Sequence, residues 1–312
     1  MSTPKHILII GATGLIGQPI TTSLQATGDF SLSILTSSAS SVSKKPILDN
    51  LAAQGIKIVV ADVTSATDIE RAFQGIDTIV CALGRPGIDL QIQLLEIAER
   101  TLNVKWFWPS EFGTDIEYDE TSRDEPTHQA KLRVRKYVRE NVKRLQVRYL
   151  VTGPYADTFI GLKAGGDLRA GGYDAVAKTA TLEGDGSGKV SLTSMVDVGK
   201  LLAASVQRPE VGKERPLRVN SFTTTPKELL AEFEKQTGAK WEVTYTSVEE
   251  MKALEKELYA EKKPMAGALT LRRIWASGRT LYEKRDNELL PPVELTTQEE
   301  IVAAMIKKQT AQ

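Results

Sequence analysis

The chain has 312 residues, with 40 basic and 40 acidic side chains, two histidines and one cysteine. Zero formal charge removes any general attraction to nucleic acid or an anionic membrane. One cysteine, Cys81, excludes an internal disulfide and a thiolate metal cluster, and with only His6 and His128 no metal site is expected.

The first apolar run, His6-Ile7-Leu8-Ile9-Ile10, meets Gly11-Ala12-Thr13-Gly14-Leu15-Ile16-Gly17, and a helical pattern follows over 15–27. Three glycines spaced G-x-x-G-x-x-G between a strand and a helix suit a turn beneath a pyrophosphate. Gly11 permits the turn, Gly14 leaves space for phosphates, and Gly17 lets the helix pack on the strand. The helix N–H groups and dipole then face the anion. Glycine-rich strand ends also make plain turns; the flanking strand and helix favour the dinucleotide reading. Gly11, Thr13, Gly14, Leu15, Ile16 and Gly17 are the candidate phosphate loop.

Further strands are expected over 32–35, 56–60, 78–83, 104–108 and 148–151. They alternate with helices over 44–54, 66–74, 90–102 and 126–144. This β-α repetition is the signature of a doubly wound parallel sheet of Rossmann type, whose ligands bind beyond the carboxyl ends of the strands. After Val151 the regularity breaks. Residues 161–174 read as a loop or hairpin, and 179–183 and 190–193 as strands joined by Gly184-Asp185-Gly186-Ser187-Gly188. Asp197 is placed to cap a helix to about 206, followed by a strand over 217–220, a helix over 226–236 and a strand over 241–246. A charged helix over 247–262 and a terminal amphipathic helix over 298–308 complete the pattern. Residues 1–155 are expected to form a dinucleotide-binding domain, to which strands from about 179–222 return. Residues 156–312 then form a smaller mixed α/β substrate lobe. The sequence runs straight into its first strand, leaving no room for a signal or transit peptide, and no apolar run matches a membrane span. The expectation is a soluble cytoplasmic protein, monomer or homodimer, acting on a small molecule.

The second strand ends Leu35-Thr36-Ser37-Ser38-Ala39-Ser40-Ser41, with Lys44-Lys45 beyond it. An NAD-specific unit usually carries a carboxylate there for the ribose 2′-hydroxyl; Asp29 lies at the wrong end. Hydroxyls and ammonium groups suit the 2′-phosphate of NADP instead, with Thr36, Ser37 and Lys44 as candidates. The bland alternative is a solvated polar loop. Asp62 follows the third strand, where it meets an adenine ring or simply helps Ser65 and Asp68 begin a helix. Ala82-Leu83-Gly84 should pass the nicotinamide ribose, with Cys81 as buried filler. Trp106-Phe107-Trp108-Pro109-Ser110-Glu111-Phe112-Gly113 ends the fifth strand at the cofactor rim. Phe112 and Gly113 are candidates for a pocket wall, and Glu111 reads as a structural tie.

Ala130, Val134, Val138 and Val142 make an apolar stripe at i, i+4 steps, and Lys131 stands at its edge. Such a lysine either snorkels to solvent or inserts beside a nicotinamide, where burial and a cationic ring lower its pKa and fit it for acid–base work. The Tyr-x-x-x-Lys pair of the better-known short-chain reductases is absent, since Thr127 precedes Lys131 by four; Tyr259 to Lys263 is an accidental match. His128 shares the face of Lys131, as a proton relay or an ordinary helix histidine.

Together the Gly11–Gly17 loop, Pro109-Ser110-Glu111-Phe112-Gly113 and Lys131 within Lys-x-x-Val-Arg-Lys resemble the isoflavone reductase-like family of the NmrA-like group, atypical short-chain dehydrogenases. Ser191-Leu192-Thr193 and Lys240-Trp241-Glu242-Val243 look most like its fungal branch. The resemblance implies NADPH and a single catalytic lysine, which falls on Lys131. The sequence departs from the family at Thr36, where arginine often stands, leaving Lys44 or Lys45 for the 2′-phosphate. It departs again at Val151-Thr152-Gly153-Pro154-Tyr155, in place of a Ser-x-Asn region, so Gly153, Pro154 and Tyr155 line a different wall beside the nicotinamide. Tyr155, Phe159 and His128 are the remaining substrate candidates. Two readings follow: a reductase of a small aromatic or conjugated substrate, or a dinucleotide-binding regulator like the nitrogen-metabolite-repression proteins of the same group. Lys131 in its motif favours the enzyme.

Overall fold

Why the first strand is apolar throughout becomes clear from its two faces. In the computed structural model, which describes residues 3–161, 168–213, 215–282 and 284–311, Ile7 and Ile9 enter one core and Leu8 and Ile10 another, on opposite sides of the sheet. A strand buried on both faces is the mark of a parallel sheet covered by two helical layers.

The strands are β1 (His6–Ile10), β2 (Ser31–Thr36), β3 (Lys57–Val60), β4 (Thr78–Cys81), β5 (Trp106–Trp108) and β6 (Gln146–Val147). They pair in parallel in the order β3-β2-β1-β4-β5-β6. The crossovers are α1 (Gly17–Ala26), α2 (Ser38–Ser43), α3 (Lys45–Ala53), α4 (Ala66–Ala72), α5 (Leu90–Arg100) and α6 (Gln129–Asn141). Strand order reverses between β1 and β4, so the crevice beyond their carboxyl ends is the switch point where such sheets bind ligands.

The strand expected over 148–151 is divided. Arg148 donates to the Pro209 carbonyl at 2.6 Å and stacks over the Trp106 ring, and β7 (Leu150–Val151) follows it. Later come α7 (Ala156–Gly161), β8 (Gly172–Asp174), β9 (Thr179–Glu183), β10 (Val190–Leu192), α8 (Met195–Gln207), β11 (Leu217–Arg218) and β12 (Phe222–Thr224). Strand β11 pairs in parallel with β7 as a separate two-stranded sheet, while β10 and β12 form an antiparallel pair. The chain ends with α9 (Pro226–Thr237), β13 (Glu242–Thr246), α10 (Val248–Ala260), α11 (Ala266–Ala276) and α12 (Gln298–Thr310).

Strands β9 and β10, expected in succession, go to different sheets; β9 lies between β13 and β8. Of the segment read as a loop or hairpin, residues 162–167 lie outside the described residues, and β8 is the antiparallel partner of β9. Asp197 does not cap α8. Ser194 does, accepting from the Asp197 N–H, because its own backbone is extended while Asp197 already lies in the first turn. A third core holds Phe159, Tyr173, Phe233, Trp241, Trp275 and Met305, with Tyr173 stacked on Phe233 at 5.0 Å. Helix α8 lies against α1 so closely that a Cβ on Gly199 would sit 2.3 Å from the Pro19 carbonyl oxygen.

Candidate active site

The glycine loop is shaped by contact with the next strand. Gly11 has φ +87°, and a Cβ there would lie 2.5 Å from the Ala82 carbonyl oxygen. A Cβ on Gly17 would lie 2.0 Å from the Gly11 carbonyl oxygen, so the helix can start only with glycine at that point. Gly14 donates its N–H to the Gly11 carbonyl at 3.0 Å. Gly14, Leu15 and Ile16 form one wall of a cavity of about 560 Å3 at the switch point.

Ala82, Leu83, Gly84 and Arg85 form a second wall, Phe112 and Gly113 a third, and Gly153, Pro154 and Tyr155 a fourth. Thr127, His128 and Lys131 enter from the start of α6, and Leu271 and Trp275 from α11. Among the described residues no aspartate or glutamate lines this space, whereas Arg85, Lys131 and His128 do. The cavity therefore favours an uncharged or anionic occupant.

The remaining nucleotide candidates flank it. The Lys44 ammonium donates to the Thr13 carbonyl at 3.1 Å and contacts the Thr13 hydroxyl at 3.2 Å, which ties the end of α2 to the glycine loop. Lys45 is instead held by Asp49 at 2.7 Å. Thr36 is buried at the end of β2. The Ser37 hydroxyl caps α2 by accepting from the Ser40 N–H. The Asp62 carboxylate closes a turn, accepting from the N–H and hydroxyl of Thr64, and these bonds hold its pKa below the usual value. Cys81 is fully buried and burial pushes its thiol up to about 12, as filler requires.

The 109–113 loop is locked from several sides. The Ser110 hydroxyl donates to the Leu83 carbonyl at 2.8 Å, and its N–H donates to Gln91 Oε1 at 2.7 Å. Glu111 is 1% exposed and accepts two bonds of 2.9 Å from Arg135, itself 2% exposed. Arg135 also donates to Glu117 at 2.8 Å and lies over the Tyr149 ring. The carbonyl of the same Glu111 accepts from Lys131 Nζ at 2.9 Å. Lys131 and Arg135 are one helical turn apart, so a single loop residue grips one face of α6 twice.

Lys131 thus turns inward rather than to solvent. A Cβ on Gly113 would lie 3.8 Å from its Nζ. Burial, aided by the cations of Arg85 and Arg135 and opposed by Glu111, pulls its pKa from 10.5 to about 8. The Tyr155 hydroxyl donates to the Phe112 carbonyl, and burial raises its pKa above the usual value. That bond ties Tyr155 to the 109–113 loop. His128 is 1% exposed and lines the cavity, with Nδ1 3.1 Å from the Ser122 carbonyl oxygen and its pKa lowered, chiefly by burial. It is not an ordinary exposed helix histidine.

Phe159 lies elsewhere. It is packed in the third core against Trp275, ring centroids 6.0 Å apart, because α7 faces α11 and the β9 layer there. Trp275 occupies the wall that Phe159 was expected to supply, and its indole N–H donates to Thr114 at 2.9 Å. No local pattern marks Trp275, which lies 144 residues beyond Lys131. Arg85 follows Gly84 directly and is the one missed residue whose position in sequence pointed to the rim.

Comparison with known proteins identifies the family and the fold. The sequence model of the NmrA-like family matches residues 3–308. The chain belongs to the NmrA-like family. It is 28% identical over 264 residues to an isoflavone reductase of Pisum sativum, covering 80% of this chain and 81% of the relative. It is 26% identical over 308 residues to the oxidoreductase aprR of Aspergillus flavus, covering 96% and 98%. A leucoanthocyanidin reductase from Vitis vinifera, solved in a binary complex with NADPH, superposes with a TM-score of 0.82 at 23% identity, over 96% of this chain and 99% of that one. At that identity the likeness establishes the fold.

Proposed function

We propose that this member of the NmrA-like family is an NADPH-dependent reductase of a small aromatic or conjugated substrate, with Lys131 as its general acid–base group. The observation that carries this reading is the Lys131 ammonium itself. It is held by a backbone carbonyl, faces a cavity free of carboxylates among the described residues, and has a pKa near 8. A lysine drawn toward neutrality by burial in a cleft suits proton transfer.

The residues present fit a nicotinamide dinucleotide. Gly14 lines the cavity at the start of the helix after the glycine loop, and Lys44 at that loop suits a 2′-phosphate where no carboxylate stands. NADPH bound there supplies the hydride. The names of the relatives, an isoflavone reductase and a leucoanthocyanidin reductase, support the choice of an aromatic substrate. Lys131 carries three N–H donors, of which Glu111 takes one. The protonated amine gives its proton to the oxygen or carbon that gains charge as the substrate is reduced. Glu111 and Arg135 orient it, and Trp275, Leu271 and Phe112 exclude water. On this reading residues 1–155 hold the nucleotide and 156–312 supply the substrate side. The test is NADPH oxidation by the purified protein across hydroxylated and methoxylated aromatic enones, ethers and flavonoids. Consumption of NADPH with one class supports it; none with any, despite tight NADPH binding, would overturn it.

A further inference from the structure

Two buried polar atoms on residues that line the cavity have no protein partner among the described residues: His128 Nε2 and Thr127 Oγ1, each just beneath the cavity surface. They belong to consecutive residues, both of which line the cavity. A polar atom left unpaired in a buried site is costly, and where its residue also lines a cavity a ligand can complete it.

The protonation of His128 is fixed by its surroundings. Its Nδ1 faces the Ser122 carbonyl oxygen at 3.1 Å, and a carbonyl can only accept, so Nδ1 carries the hydrogen. Tyr118 meets the ring edge-on at 5.8 Å and holds its orientation. Burial disfavours the imidazolium most strongly, and the nearby cations of Lys131 and Arg85 act in the same direction, against the Ser122 carbonyl and Glu125. The neutral ring then presents a lone pair at Nε2, which accepts and cannot donate. The Thr127 hydroxyl does either.

We propose that Thr127 and His128 form a hydroxyl-reading subsite, which selects an aromatic ligand whose own O–H donates to His128 Nε2 and accepts from Thr127 Oγ1. A ketone, ether, methoxyl or carboxylate oxygen brings no hydrogen to Nε2 and leaves it unpaired. The walls supplied by Trp275, Leu271 and Ile116 suit the ring that carries the hydroxyl. This deepens the reductase reading and rests on it for the cavity being the substrate's, but it concerns binding and needs no turnover.

The experiment is calorimetric titration of the NADPH-saturated protein with matched probes: 4-hydroxychalcone against 4-methoxychalcone, and 4-hydroxybenzalacetone against 4-methoxybenzalacetone. The hydroxyl member of at least one pair should bind about tenfold tighter or more. Thr127→Val, which keeps shape, and His128→Phe, which keeps a ring, should each bring the ratio toward one without weakening the methoxyl member. Thr127→Val is at a half-buried position, so the test survives if His128→Phe fails to fold. Equal affinities in the wild type, as when water alone completes the two atoms, would overturn the proposal. So would a preference that persists in both variants, or no binding of either pair. Failure of the reductase reading looks different: the hydroxyl preference stands, yet no ligand in the panel draws down NADPH.

Discussion

Glu111 is the residue through which the account of Lys131 can be pushed hardest. Its carboxylate meets Arg135 in two bonds of 2.9 Å at 1% and 2% exposure, and its carbonyl holds the Lys131 ammonium. Glu111→Gln keeps size and one accepting oxygen but turns an NH2 toward a guanidinium N–H. The Arg135 charge is not orphaned, because Glu117 and Asp115 remain within 2.8 and 3.8 Å. The loss is therefore less than that of a fully broken buried pair. About 1.5–3 kcal/mol is expected, the range for a hydrogen bond to a charged group. For a chain of this size that is a fall in Tm of roughly 2–5 °C. Arg135→Met is the harsher change, since Glu111 loses its cation while buried, although Asp115 keeps Arg218 at 2.9 Å; about 3–5 kcal/mol is expected. Urea and thermal unfolding of both variants, alongside kcat and NADPH affinity, make the assay. Turnover should fall in both, by more than the folded fraction explains, while NADPH affinity holds. A Glu111→Gln protein with unchanged Tm and unchanged kcat would refute the idea that this pair anchors α6 and its lysine.

Gly14→Val should abolish NADPH binding while the far-ultraviolet spectrum stays native; the nearest contact of its Cβ would be 3.1 Å from the Gly11 oxygen, an adjustment the loop can make. Gly17→Ala should instead fail to fold or lose several kcal/mol, about the cost of severe overpacking, because its Cβ has only 2.0 Å to the Gly11 oxygen. Fluorescence titration should show NADPH bound more tightly than NADH, and Lys44→Met should narrow that gap; a larger or unchanged gap counts against Lys44 as the 2′-phosphate ligand. Stability should rise with pH between about 8 and 9, above which the buried Cys81 thiol, pushed up to about 12, opposes the rise. Over that window the folded state has released the Lys131 proton and the unfolded chain has not, so the unfolded state binds more protons. Lys131→Met should flatten that rise in urea titrations.

Much of the fold was legible because it rests on local rules. A strand buried on both faces must be apolar throughout, and Ile7 to Ile10 are. The G-x-x-G-x-x-G spacing answers to steric distances that only glycine meets, so it read directly as a strand-to-helix turn. Lys131 was legible as a position, at the edge of an apolar stripe, but its inward turn was not. That depends on the Glu111 carbonyl, twenty residues earlier in sequence. Arg135 was hidden for the same reason: a charged residue beside a stripe reads as solvated until its carboxylate partners arrive from another loop. The substrate wall was the least legible. Phe159 and Trp275 are equally apolar, and only the packing of α7 on α11 decides which of them faces the cavity. Helix α11 itself went unread, since Ala266–Ala276 carries no distinct cap, Met265 preceding it without a side-chain bond.

The central claim is that Lys131 donates the proton, and the pH dependence of single turnover tests it most directly. With NADPH saturating and a substrate found by the oxidation screen, the wild-type rate should fall as pH rises through about 8, where the ammonium is lost. Lys131→Ala should bind NADPH normally, turn over about 10²–10⁴ times more slowly, and show no inflection near pH 8. A Lys131→Ala rate within a few-fold of wild type, with the same pH profile, would contradict the account.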